Sequence, residues 1–182
     1  MFKNSTHRYG LVSVLFHWLL AVAILALFAL GVWMVELDYY SEWYHRAPAI
    51  HKAIGVLVVA MMILRWLWVR VNPRVLPQMH AKWEYLAAKI VHALLYLGVL
   101  LLGVSGYLIA TAEGQGVSVF AWFELPAMSA GALFEGQADV AGEIHTYLAY
   151  GLMSLVALHA AAALKHHFID RDATLRNMLG NR

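Results

Sequence analysis

Between Arg8 and Glu36 the chain carries no Asp, Glu, Lys or Arg, and comparable uncharged runs lie between Lys89 and Glu113 and between Glu143 and Lys165. A helix needs about 20 apolar residues to cross a bilayer core, so each run is long enough. A fourth stretch, IHKAIGVLVVAMMILRWLWVR at 50–70, is uncharged between Lys52 and Arg65. Lys52 lies near an end and can snorkel, whereas Arg65 is deep enough to require a partner. Charged residues make up only 13% of the chain and hydrophobic ones 62%, about half the charge of a soluble domain. The expectation is therefore an all-α integral membrane four-helix bundle. It forms one domain over residues 1–182, with transmembrane helices at about 10–35, 50–70, 88–111 and 142–167. The first span is too long for a cleaved signal peptide, and no clear cleavage site follows it.

Basic residues set the expected orientation. An even number of spans leaves both termini on one side, and eleven of the thirteen Lys and Arg residues fall there; Arg46 and Lys52 are the exceptions. Eight of the eleven acids fall on the opposite side. The positive-inside rule then places the N- and C-termini in the cytoplasm of a multi-pass inner-membrane protein. On this reading the basic clusters mark topology and contact with anionic lipid, and nucleic acid is not a partner.

No repeat or low-complexity segment interrupts the pattern. Pro73 and Pro77 stop helix continuation in the cytoplasmic loop. In the longer outer loop, about 112–141, Phe120, Trp122 and Phe123 suit an interfacial anchor. There is no cysteine. That excludes disulfides, thiolate-held iron–sulfur clusters and C-x-x-C-H haem attachment, so any redox cofactor must be held noncovalently.

The ten histidines carry the chemistry. His145 and His159 stand almost four whole helical turns apart on the fourth span. At ~100° per residue they share one face, separated by ~21 Å along the axis. His17 falls in the inner half of the first span, and His51 at the outer start of the second. The natural pairs are His17 with His159 and His51 with His145. Two facing imidazoles at each of two depths suit two planar metallomacrocycles, a di-haem b arrangement, and imidazole is a suitable iron ligand. Gly31 leaves the first span bare on the histidine face. Gly55, Ala149 and the alanines at 160–163 keep the other faces small. Arg65 follows His51 at the same spacing that separates His159 from His145, and stands where it can meet a haem propionate. Lys165, His166 and His167 remain for propionate contact, with His166 best aligned. His92 is either a propionate partner or a packing hydrogen bond, and His7, His45 and His80 are expected to be solvated. A zinc, copper or nickel carrier would instead cluster histidines at one depth with carboxylates nearby.

Several long motifs resemble the prokaryotic cytochrome b561 family: RYGLVSVLFHWLLA, APAIHKAIG, HALLYLGVLLLGVSGYLIA, VSVFAWFELP, and GEIH with LHAAAALKHHFIDRDATLRNML. They cover essentially the whole chain. The resemblance implies a four-helix inner-membrane protein with two noncovalent, bis-histidine b haems on His17, His51, His145 and His159. It also implies a quinone as the lipid-phase partner. The function expected is electron transfer between the quinone pool and an outer-face redox partner docking at the outer loop. A superoxide:ubiquinone oxidoreductase is the alternative within the family, and a His-based transition-metal carrier the alternative outside it. Membrane lipid is a further partner, and a homodimer is compatible with such a protein.

Overall fold

Hydrocarbon offers no hydrogen bonds, so an uncharged run must satisfy its backbone within its own segment, as a helix does. In the computed structural model the long runs do so as α1 (Leu11–Met34), α2 (Trp43–Val71), α3 (Lys82–Ala110) and α4 (Gln137–Phe168). A short α5 (Thr174–Met178) follows. The structure describes residues 1–76 and 82–180. Pro77, His80 and Arg182, read above as a helix stop, a solvated histidine and part of the basic side, lie outside the described residues.

All four long helices can span a membrane, and no more than 11% of any apolar window is buried. Large side chains such as Leu19, Val22, Leu97, Tyr147 and Leu158 point outward. Apolar exposure on this scale is a surface made for lipid.

Three helices extend beyond the apolar runs. The first turns of α2 precede the run and include Pro48, so His51 stands two turns inside the helix rather than at its start. Rings at this entry pack edge to face: Trp33 with Trp43, centroids 5.9 Å apart, and Tyr39 with Tyr44 at 5.5 Å. α4 begins where Gly136 adopts φ 70°, a conformation glycine takes at no steric cost. The buried Gln137 side chain then donates to the Leu108 carbonyl (2.8 Å) and accepts from the Leu133 N–H (2.6 Å).

The chain forms two compact units. One contains residues 1–20, 61–97 and 151–182; the other contains 21–60 and 98–150. Each long helix therefore gives one segment to each unit. In the first unit, Asn4 Oδ1 accepts from the Gly10 N–H (2.9 Å) and the Ser13 hydroxyl (2.7 Å), and Trp68 Nε1 donates to Ser13 Oγ (3.0 Å). A Cβ on Gly10 would overlap the carbonyls of Phe2 and Lys3. In the second unit, β1 (Val117–Val119) pairs antiparallel with β2 (Phe123–Leu125), in register Val117 to Leu125. This ribbon adds a small sheet to an otherwise helical protein. Val117 and Val119 are buried beneath it, while Phe120, Trp122 and Phe123 are exposed. The Tyr107 hydroxyl fastens the loop by donating to the Pro126 carbonyl at 2.7 Å.

Candidate functional site

In the first unit α1 and α4 bring His17 and His159 together edge to face, with ring centroids 6.2 Å apart and planes at 63°. His92, on α3, sets its ring edge-on to His159, with centroids 5.2 Å apart. Arg65, on α2, donates from Nη1 to the Tyr96 hydroxyl (2.6 Å), and its guanidinium carbon lies 5.4 Å from that ring's centroid. Its Nε is buried without a hydrogen-bond partner, and no carboxylate among the described residues pairs with Arg65. A half-buried guanidinium left with a spare donor suits an anion such as a carboxylate.

The second unit contains the other pair. His51 on α2 and His145 on α4 have ring centroids 6.2 Å apart and planes at 68°. A glycine backs each imidazole. A Cβ on Gly31 would stand 3.2 Å from His51 Cε1, and one on Gly106 would stand 3.3 Å from His145 Cε1. Gly31 thus gives room to the His51 ring on the bare face of α1. Gly55, one turn beyond His51, has nothing within 4 Å of where its Cβ would be. That is open space on the His51 face. His51 Nδ1 is buried and unpartnered, whereas His145 Nδ1 lies 3.0 Å from Ser105 Oγ.

The ring separation in both pairs is compatible with a shared metal. Two imidazoles on opposite sides of one metal, with bonds of ~2.0–2.1 Å and each ring centre ~1.1 Å behind its nitrogen, have centroids about 6.3 Å apart. The observed 6.2 Å in each pair matches that separation. The apolar flanks and the spare Arg65 donor favour a macrocycle with acidic substituents over a bare ion. Three metal-capable donors do converge among the described residues at Glu84, His166 and Asp170. The Lys165 ammonium already sits there, 2.6 Å from Glu84 Oε1 and 2.7 Å from Asp170 Oδ2. A cation repels a second cation.

His166 belongs to that cluster. Its Nδ1 is 2.7 Å from Asp172 Oδ2 and 3.0 Å from Asp170 Oδ2, so only Nε2 is left for another ligand. Lys165 is committed to Glu84 and Asp170. His167 Nδ1 is buried and unpartnered. Burial raises the Asp172 carboxyl, but hydrogen bonds from Thr174 and His166 outweigh it and hold the group below its ordinary value. Sequence reasoning missed Ser105, Tyr96, Gly106 and Asp172. Ser105 had left a trace, as a hydroxyl within an uncharged span.

A family model described as prokaryotic cytochrome b561 matches residues 8–181. The chain is 47% identical over 180 residues to cytochrome b561 homolog 2 of Escherichia coli strain K12, an alignment covering 98% of this chain and 95% of that protein. Cytochrome b561 homolog 1 of the same organism is 29% identical over 181 residues, covering 97% and 99% respectively. A match along almost the entire chain, on four helices able to span a membrane, leads to one conclusion: this chain belongs to the prokaryotic cytochrome b561 family of haem-binding membrane proteins.

Proposed function

We propose that the protein is a di-haem transmembrane electron carrier, exchanging electrons between the quinone pool and a redox partner at its outer face. His17 and His159 would hold an inner haem b, and His51 and His145 an outer one. The observation that carries this reading is the pair of matching 6.2 Å separations, on segments with no cysteine for covalent attachment. Held by these histidines, each haem would supply one-electron redox change.

The chain's own groups divide the remaining work. Arg65, steadied by Tyr96, offers Nε to a propionate of the inner haem. Asp170 and Asp172 hold Nδ1 of His166, leaving Nε2 as the ring nitrogen available to a quinone or a propionate. Gly31 and Gly106 let the outer imidazoles lie close against neighbouring helices. In the inner membrane both termini are cytoplasmic, following the eleven basic residues on that side. The outer loop, with Phe120, Trp122 and Phe123 exposed beside Glu124, is where the partner docks.

A reduced-minus-oxidised spectrum with a haem-to-protein ratio tests the proposal. Two noncovalent b haems per chain, reducible by a quinol analogue, are expected. Colourless protein that binds zinc would overturn the reading. Rapid consumption of superoxide with quinone as acceptor would replace the docked partner with superoxide itself.

A further inference from the structure

The two imidazoles of the outer pair are held differently. His51 Nδ1 has no partner, while His145 Nδ1 meets a serine buried in the adjoining helix. Ser105 is 4% exposed, and its Oγ has three polar neighbours: the Leu101 carbonyl at 2.9 Å, the Leu102 carbonyl at 3.2 Å and His145 Nδ1 at 3.0 Å. A hydroxyl has one proton and two lone pairs, and a carbonyl oxygen can only accept. The serine proton must therefore go to the preceding turn of α3, the usual back-bond of a helical serine. Otherwise two carbonyl oxygens would face Oγ across short distances with no hydrogen between them. With that proton spent, Oγ is an acceptor toward His145, and Nδ1 must be the donor. The network thereby assigns a tautomer, with the proton on Nδ1 and the lone pair on Nε2.

We infer that Ser105 is a positioning residue for the outer haem. It fixes His145 with Nε2 toward the iron, and by accepting the Nδ1 proton makes that ligand more electron-rich. Gly106 completes the device, since its missing side chain lets the ring lie against α3 beside Oγ. An N–H donated to an oxygen raises the basicity of a metal-bound imidazole and fixes its orientation. A more basic ligand stabilises the oxidised iron, so the contact lowers the potential of the haem it serves. Because His51 Nδ1 has no such acceptor among the described residues, this tuning enters from the His145 side.

The inference rests on the two-haem reading, and one experiment separates their failures. Full-length protein is titrated potentiometrically by absorbance, and the ferric form is examined by electron paramagnetic resonance. His51→Ala identifies which redox step belongs to the outer haem. Ser105→Ala should raise that midpoint and shift that haem's largest g value, with the other haem unmoved. Ser105→Thr, which keeps the hydroxyl, should restore both. If Ser105→Ala does not assemble, Ser105→Cys, a weaker acceptor of similar size, should move the midpoint in the same direction. Wild type with two b haems and serine variants with unchanged potentials would overturn the role of Ser105 alone. A shift in the haem that survives His51→Ala would also overturn it. Wild type without haem would overturn both readings.

Discussion

His166 and Asp172 illustrate what a single contact contributes where a helix ends. The chain leaves α4 through Arg171 at φ 56°, outside the helical region, and this turn carries Asp172 back beneath the ring, where it also accepts the Thr174 N–H at 2.8 Å. Because the folded carboxyl sits below its ordinary 3.8, its ionised form stabilises the fold above that value. The contribution is lost as pH falls through the lower folded value. Asp172→Asn should therefore reduce thermal stability at neutral pH, and the gap from wild type should close in acid below the ordinary value. Melting curves of both proteins across that range check this, and a gap independent of pH would contradict it. None of this was legible in the sequence, since the offset from His166 to Asp172 is not a helical spacing and the turn depends on one unusual backbone angle. The four paired histidines were legible because a spacing of almost four whole turns brings a helix back to the same face. Arg65 was legible as a charge in need of a partner, but Tyr96, on another helix, was not.

Elements were legible in proportion to how strongly lipid constrains them. Four helices follow from charge-free runs, since no other backbone form survives there. Their polar ends did not follow: α2, α3 and α4 begin well before the expected spans, in sequence where charge no longer signals. Glycine roles also need the neighbouring helix to be known. Gly31 marked a bare face on the sequence, but which group fills it depends on where α2 lies. Gly31→Val tests the observed arrangement. A Cβ there already stands 3.2 Å from His51 Cε1, and the added methyl groups of a stiff β-branched residue leave the ring no room. The variant should lose or markedly weaken one of two haems and retain the other, as read from haem content and the redox titration. Loss of the haem served by His17 and His159 would contradict the placement.

For the whole molecule, the outward apolar surface suits lipid and the asymmetric charge gives an expected orientation. The exposed side chains of the four helices match lipid, and the skew of Lys and Arg predicts cytoplasmic termini. A reporter fused after Arg182 should be active in its cytoplasmic form and silent in its periplasmic form, and the reverse result would invert the inner and outer haems. In the proposed site two irons are shared by four histidines in fixed pairs. Redox titration of the single His→Ala variants tests it most directly. His17→Ala and His159→Ala should remove or shift the same redox step, and His51→Ala and His145→Ala the other. Each within-pair double variant should add little further change, because both residues serve one metal. The pairing is wrong if His166→Ala removes the step lost in His17→Ala while His159→Ala spares it, or if His17→Ala and His51→Ala abolish the same step.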